Sequence, residues 1–125
     1  YYDAVVGGHL GVFPSFYEPW GYTPMESMAL AVPAVSTDFA GFGKFCENAQ
    51  AKGIWVFDRL HKTWDEEVDS LYKILKNYTM YDHAERVEQR LAAKNSAANF
   101  DWKHFAKRYF TAHEMAYENN TQTQQ

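Results

Sequence analysis

Two carboxylates, Glu18 and Glu26, bracket seven residues that include two prolines, one glycine and two aromatic side chains. Upstream, residues 10–14 form a short apolar run that ends at a proline, a pattern typical of a buried parallel strand. Downstream, residues 25–32 predict a helix that Pro33 ends, because proline disfavours helical backbone in the residue before it. The acidic pair therefore lies in a turn between the carboxyl end of a strand and a helix, which is where open α/β sheets bind ligands.

The start of this helix has the composition of an anion-binding turn. Thr23 is a suitable N-cap, Pro24 fits the first helical position, and Glu26 completes a capping box. Gly21 allows a ligand to approach the backbone closely. Unpaired N–H groups and the positive end of the helix dipole favour an anion here, phosphate above all. In the alternative interpretation, Glu26 only caps the helix and Glu18 is only a solvated loop residue.

The composition narrows the classes of function. The chain has 125 residues, 46% hydrophobic and 18% aromatic, which suffice for the core of one domain. Its net charge of −4, without a basic block, argues against a nucleic-acid partner. No apolar stretch approaches the roughly 20 residues of a membrane span. The single cysteine, Cys46, excludes an internal disulfide and indicates a buried thiol. No spacing of His, Cys and carboxylates suggests a metal site, and a cytoplasmic location is compatible with all of this.

The pattern of apolar residues predicts an α/β fold. We expect strands over residues 10–14, 34–37 and 54–57, and helices over residues 2–8, 24–32, 44–51, 80–94 and 101–118, with a further helix that a Thr63/Glu66 capping box begins. A right-handed strand–helix–strand crossover makes neighbouring strands parallel. Because a parallel sheet has covered faces and usually more strands, residues 1–118 are predicted to be the last part of a Rossmann-like domain. The polar residues 119–125 are predicted to be a disordered tail.

The motif Glu18-Pro-Trp-Gly-Tyr-Thr-Pro-Met-Glu26, preceded by His9-Leu-Gly-Val-Phe-Pro-Ser15, resembles glycogen synthase of the animal and fungal type, which is glycosyltransferase family 3 with the GT-B fold. Similar motifs follow in the family's order at residues 36–38, 41–43, 57–59 and 101–103. ADP-glucose enzymes of bacteria and plants share the Glu-Pro pair but usually continue with Cys-Gly-Leu-Thr. The resemblance implies that this chain is the carboxyl-terminal part of the nucleotide-sugar domain of a longer enzyme, inactive by itself.

The resemblance implies a retaining transfer of glucose from UDP-glucose to the non-reducing end of an α-1,4-glucan such as glycogen. It makes Glu18 the catalytic carboxylate, either as a nucleophile or as an electrostatic stabiliser. It assigns the donor diphosphate to the turn that consists of Trp20, Gly21, Tyr22 and Thr23. Glu26 would accept hydrogen bonds from the ribose hydroxyls. Neither a metal nor a cofactor is implied.

Several aromatic residues near the motif have two interpretations. Tyr1 either stacks on the nucleobase, as the resemblance implies, or simply packs against the fold. The side chains of Trp20 and Tyr22 are more typical of packing than of ligand contact, although their backbone would lie beside the phosphates. His9 precedes a buried strand and is interpreted as a structural, hydrogen-bonded histidine.

Regulation and assembly are further expectations. Arg86, Arg90 and Lys94 correspond to an arginine cluster that animal and fungal enzymes use for glucose 6-phosphate control, but they are sparse and interspersed with acidic residues, which favours a solvated helix face. We expect the stripe of Trp102, Phe105 and Tyr109 to form part of an interdomain surface, and the full-length protein to be a homo-oligomer. Two other functions stay open: an ADP-glucose-dependent or other nucleotide-sugar glycosyltransferase, and a sugar-nucleotide-binding module without turnover.

Overall fold

Three parallel strands in the order β1-β2-β3 organise the computed structural model, which describes residues 1–122. The strands are β1 (Gly11–Val12), β2 (Ala34–Thr37) and β3 (Ile54–Phe57). β2 pairs with both neighbours, Ala34 lying opposite Gly11 on one side and opposite Ile54 on the other. The α/β fold with parallel strands is confirmed, and β2 and β3 have the predicted bounds. β1 is shorter than the predicted 10–14. Its last bond to β2 is from the Phe13 N–H to Val35 O (2.9 Å), and the next N–H on that side, that of Ser15, donates to Phe13 O (3.0 Å) in a tight turn and does not continue the ladder.

Six helices surround this sheet in the described part of the chain. They are α1 (Tyr2–Val6), α2 (Tyr22–Ala29), α3 (Gly41–Asn48), α4 (Trp64–Met80), α5 (His83–Ala98) and α6 (Trp102–Gln122). Every predicted helix is present, although several begin or end at other residues. Within residues 1–122, no helix is both long enough and apolar enough to span a bilayer.

The core lies between the sheet and helices α2, α3 and α5. It is a cluster of six buried residues: Met28, Ala34, Phe42, Cys46, Ala93 and Phe100. Burial raises the pKa of the Cys46 thiol to about 12, so the thiol is protonated and unreactive at neutral pH. All four residues of β2 are buried as well, which is typical of a central parallel strand.

Helix α2 differs from the prediction at both ends. Its N-cap is Gly21, whose φ of 104° is in the left-handed region, and no side chain caps this end. The capping box predicted for Thr23 and Glu26 is therefore wrong, because the helix already begins at Tyr22. At the other end, the Val32 N–H donates to Ser27 O and the Ala31 N–H to Met28 O, both at 2.9 Å. This pair of bonds is a Schellman motif, and it ends the helix at Ala29, before the predicted Val32.

Helix α3 begins three residues earlier than predicted, at Gly41. Residues 41–43 thus form its first turn and not a loop. Two N–H groups of this turn have partners outside the helix: Gly41 donates to Glu18 O (3.0 Å) and Phe42 to Trp20 O (2.6 Å). Because the first N–H groups of a helix have no intrahelical acceptor, these bonds stabilise the earlier start.

The helices after β3 follow local capping signals. The predicted Thr63/Glu66 capping box is present at the start of α4, and an Asp82/Glu85 capping box starts α5 three residues after the predicted Met80. Helix α6 continues to Gln122, so it includes the first four residues of the predicted disordered tail. The other residues of that tail, 123–125, lie outside the described residues. Trp102 and Tyr109 on α6 are 61% and 59% exposed. These rings are accessible, as an interdomain surface in a longer protein would require.

The left-handed residue Ala31 gives a test of the α2 terminus. Its φ of 59° costs an L-residue free energy that glycine does not incur. We predict that Ala31→Gly raises the free energy of unfolding by about 0.5–1 kcal/mol, measured by urea or thermal unfolding. The matched control is Ala29→Gly, at the last helical residue, which should lower it by up to about 1 kcal/mol. Equal losses in both variants would contradict the Schellman assignment.

Candidate functional site

The segment from Glu18 to Trp20 is attached to the start of α3 by its backbone. Glu18 pairs with Ala40 in an isolated parallel bridge, and the Glu18 N–H donates to Phe39 O (3.3 Å). The carbonyl groups of Glu18 and Trp20 accept the two α3 bonds described above. The motif is therefore a short extended stretch beyond the carboxyl end of β1, held in place against the chain that leaves β2. Its location confirms the predicted turn between strand and helix.

The Glu18 carboxylate lies at the start of α2. Its Oε2 accepts a hydrogen bond from the Ser15 hydroxyl (3.1 Å), and the side chain is half-buried. A β-carbon added at Gly21 would lie 3.3 Å from Glu18 Oε2, which shows how closely the carboxylate approaches the N-cap of the helix. Only one hydrogen bond of the carboxylate is made to the described protein, so its remaining acceptor capacity is available to a ligand.

The first turn of α2 has the backbone expected of an anion site. Gly21 is buried, while Tyr22 and Thr23 are exposed. Their N–H groups belong to the first helical turn, which leaves them without intrahelical acceptors, and they lie at the positive end of the helix dipole. Pro24 is buried at the third helical position. Proline has no N–H, but this causes no loss there, because an N–H at that position would have no intrahelical acceptor. The turn can therefore bind an anion, although Thr23 is not its N-cap.

Tyr1 and Glu26 form a second contact of the predicted site. The Tyr1 hydroxyl donates to Glu26 Oε2 at 2.8 Å, across 25 residues of sequence. This hydrogen bond raises the pKa of the Tyr1 phenol above its ordinary value, because only the neutral form can donate it. Glu26 lies one turn further along α2 than Thr23 and faces a groove that Lys94 and Trp102 also line. The ring of Tyr1 is 68% exposed and is thus open to a stacking partner.

The aromatic side chains of the motif divide between two environments. Trp20 packs among the rings of Phe42, Phe45 and Phe105, with centroid distances of 5.6, 5.5 and 5.9 Å. The indole therefore takes the packing role, and only the backbone of Trp20 lies in the turn. Tyr22 is 57% exposed at the start of α2. His9 is exposed, and its carbonyl oxygen accepts a hydrogen bond from the Tyr78 hydroxyl.

The structure thus groups the predicted residues into two adjoining sets along α2. Glu18, Gly21, Tyr22 and Thr23 lie at its amino end, whereas Tyr1 and Glu26 meet further along the same helix. In residues 1–122, no cluster of three or more His, Cys, Asp or Glu side chains could hold a metal ion. The chemistry available is hydrogen bonding to hydroxyls by two carboxylates and binding of a phosphate by backbone N–H groups.

Three residues of this region were not assigned a role from the sequence. Ser15 donates to Glu18, Asp38 accepts the N–H groups of Arg59 (2.8 Å) and Leu60 (3.1 Å), and Arg59 is buried beside the segment before Glu18. Asp38 and Arg59 follow β2 and β3, so their positions after parallel strands were the available signal. The side-chain hydrogen bonds of Asp38 and Arg59 join residues 21 to 45 positions apart in sequence, so they could not be inferred from spacing.

Comparison with known proteins identifies the family of this sequence. The sequence profile of the Glycogen synthase family matches residues 1–124. This chain belongs to the glycogen synthase family. It is 39% identical to the "Glycogen [starch] synthase" of Caenorhabditis elegans over 122 residues, 94% of this chain and 18% of the relative. It is also 39% identical to the "Glycogen [starch] synthase isoform 2" of Saccharomyces cerevisiae and 38% identical to the "Glycogen [starch] synthase" of Neurospora crassa. Each of these matches covers 17% of the relative's length. The chain therefore spans less than a fifth of these relatives.

Two of the three basic residues of α5 bind the protein's own backbone. Arg86 donates to Tyr81 O (3.0 Å) and Thr79 O (3.3 Å), which lie at the end of α4. Arg90 donates to Gly8 O (3.1 Å), just before β1. These contacts add a structural role to the solvated helix face that we expected.

The left-handed N-cap Gly21 gives a test of the backbone at this site. We predict that Gly21→Ala lowers the free energy of unfolding by about 1–3 kcal/mol, because φ = 104° is strained for alanine and the new methyl group presses on Glu18. Unfolding in urea would measure it. Gly7→Ala is the control: φ there is −69° and the nearest atom to an added β-carbon is 3.4 Å away, so the change should stay within about 0.5 kcal/mol. Equal effects of the two variants would contradict the assigned N-cap conformation.

Proposed function

We propose that this chain supplies the nucleotide-sugar side of a glycogen synthase active site, in a longer protein that transfers glucose from UDP-glucose to the non-reducing end of an α-1,4-glucan. One observation carries the proposal: the Glu18 carboxylate lies against the N-cap of α2, at the carboxyl end of β1. A carboxylate and an anion-binding helix start are thus adjacent, as a sugar attached to a diphosphate requires. The protein would act in the cytoplasm as a homo-oligomer, and residues 1–118 would be the last part of its donor domain.

The diphosphate would bind at the turn formed by residues 20–23. Its leaving oxygen gains negative charge as the bond to the anomeric carbon breaks, and the N–H groups of Tyr22 and Thr23, with the Thr23 hydroxyl, are suited to stabilise that charge. Gly21 has no side chain, so the phosphate can approach the backbone. As we propose it, this step uses neither a metal nor a cofactor.

Glu18 would bind the sugar and stabilise the reaction. Its carboxylate can accept hydrogen bonds from glucose hydroxyls, which positions the anomeric carbon, and its charge offsets the positive charge that develops on the ring. We favour front-face attack: the glucan hydroxyl oxygen bonds to the anomeric carbon on the face that the phosphate leaves, and the phosphate oxygen takes the hydroxyl proton. Glu18 is then an electrostatic stabiliser and not a covalent nucleophile.

Tyr1 and Glu26 would bind the nucleoside. Glu26 has a second oxygen for the ribose hydroxyls, since only its Oε2 accepts from Tyr1, and the exposed Tyr1 ring can stack on the base. The exposed rings of Trp102 and Tyr109 on α6 would contact another part of the full-length protein. We expect residues 1–125 alone to be inactive, because the acceptor would bind to another part of the longer protein that we propose.

The first test is Glu18→Gln in the full-length protein, with transfer of labelled glucose to glycogen as the measurement. We expect kcat to fall by about 10²–10³-fold, because an interaction made mainly in the transition state is lost, while the affinity for the donor nucleotide stays within about twofold. Glu47→Gln is the matched control, since Glu47 is an exposed residue of α3 that pairs only with Lys44, and it should leave both quantities unchanged. Equal losses of turnover and affinity would make Glu18 a binding residue. No transfer by the unchanged protein would favour a binding module without turnover.

The second test concerns the nucleotide. We expect UDP-glucose to be used in preference to ADP-glucose when the full-length protein is offered both labelled donors, because the Trp20 and Tyr22 of this motif differ from the residues usual in ADP-glucose enzymes. The measurement is the ratio of kcat/KM for the two donors. A ratio in favour of ADP-glucose would establish the alternative glycosyltransferase. Transfer by neither donor, with glucose transferred from another nucleotide, would identify a different nucleotide sugar.

A further inference from the structure

Arg59, the second residue after β3, is a buried cation. Only 5% of the residue is exposed. Burial of a charge is unfavourable unless hydrogen bonds and an opposite charge compensate it. Its Nη2 forms an ion pair with Glu67 Oε2 of α4 at 2.8 Å, and both side chains are largely shielded from solvent. Arg59 is therefore anchored to α4.

The other contacts of the Arg59 guanidinium are all made to one segment, residues 14–16. Nη1 donates to Pro14 O (3.3 Å) and Ser15 O (3.1 Å), and the guanidinium lies over the Phe16 ring, 3.9 Å from its centroid. This segment leaves β1 and leads to Glu18. Arg59 thus joins α4 to the stretch of chain that carries the carboxylate.

Ser15 connects this anchor to Glu18. Its carbonyl oxygen accepts from Arg59 and also from the Thr37 hydroxyl (3.1 Å), while its own hydroxyl donates to Glu18 Oε2 (3.1 Å). The backbone of Arg59 is fixed in turn by Asp38, which follows β2. A continuous set of polar contacts therefore runs from Glu67 through Arg59 and Ser15 to the carboxylate.

The arrangement favours precision over stability. Arg59 Nε is buried and has no hydrogen-bond partner among the described residues. A buried ion pair with an unsatisfied donor is a poor means of stabilising a fold, since well-packed apolar side chains of similar volume often serve as well or better. The planar, forked guanidinium can instead hold two carbonyl groups and a carboxylate in one fixed geometry, which an apolar side chain cannot do.

We propose that Arg59 is a positioning residue for Glu18: by binding the carbonyl groups of Pro14 and Ser15 it fixes the segment from which Ser15 orients the Glu18 carboxylate. The inference rests on the proposed catalytic role of Glu18. A displacement of about 1 Å in a positioned group can reduce a rate by about a hundredfold. Replacing Arg59 should therefore reduce turnover even though Arg59 itself would make no contact with the substrate.

The test uses the full-length protein with Arg59→Met and Ser15→Ala. We expect each to lower kcat by about ten- to a hundredfold, with the KM for the donor changed less than about threefold. Ser15→Ala removes only the hydroxyl that reaches Glu18, so it tests the last link even if Arg59→Met does not fold. Lys73→Met is the control, because Lys73 is an exposed residue of α4 whose ion pair is made to Asp69 of the same helix (2.6 Å), and its kcat should stay at the level of the unchanged protein.

A double-mutant cycle distinguishes positioning of Glu18 from a general structural role. In the Glu18→Gln background, Arg59→Met should lower the residual kcat by less than twofold, since the group it positions is already inactive. A full additional loss there would overturn the proposal, as would wild-type kcat in both Arg59→Met and Ser15→Ala while Glu18→Gln is impaired. If Glu18→Gln itself has wild-type turnover, the proposed function of Glu18 fails first, so the two failures are separable.

Discussion

The two hydrogen bonds from the start of α3 to the Glu18–Trp20 segment are the constraint on which the site depends. A helix start has N–H groups that need acceptors, and here the carbonyl groups of Glu18 and Trp20 supply them. The bonds fix the backbone on which the Glu18 side chain stands. They also occupy the anion-attracting end of α3 with protein, so that of the two helices that follow β1 and β2, it is α2 whose first turn is left for a ligand. These two bonds thus fix the backbone that carries the carboxylate and leave the start of α2 as the proposed phosphate site.

Parallel topology brings the polar residues of the region together. Glu18, Asp38 and Arg59 follow β1, β2 and β3, and all three strands end at the same edge of the sheet. Glu18 pairs with the chain that leaves β2, Asp38 binds the chain that leaves β3, and the Arg59 side chain reaches past β2 to the chain that leaves β1. The strand ends are thereby linked to one another by hydrogen bonds. Such a network holds directions as well as distances, which a site for a polar ligand requires.

Sequence predicted the elements whose signals are local. β2 and β3 have the expected bounds because each is a short apolar run with a clear turn on either side, and α4 begins at Thr63 because its capping box needs only residues three apart. The starts of α2 and α3 were misplaced for a different reason. The α3 start depends on acceptors about twenty residues away in the sequence, and the α2 start depends on the left-handed backbone of Gly21, which the sequence permits but does not require.

The site could be predicted in outline for the same reason. A strand, a glycine turn and a helix can be recognised from spacing, so the location of Glu18 and of the turn that we propose as the anion site followed from the motif alone. The partners that orient Glu18 could not be recognised, because Arg59 is as polar in sequence as any solvated arginine. Only the fold shows that it is buried and that its contacts lead to Ser15. The topology of the fold determines the long-range partners of charged side chains, and local periodicity of the sequence does not predict that topology.

The spacing of the two acidic residues has a physical reason under the proposed function. Gly21, beside the Glu18 carboxylate, and Glu26 are five residues apart on α2, which is about 7.5 Å along the helix axis. That rise is comparable with the length of a diphosphate bridge between a sugar and a ribose. With the sugar at Glu18, the first turn of α2 would lie beside the phosphates, and the ribose would reach Glu26 and its partner Tyr1. One rigid helix would then set the distance between the two ends of the donor, and no loop movement would be needed to keep both acidic residues in register with it.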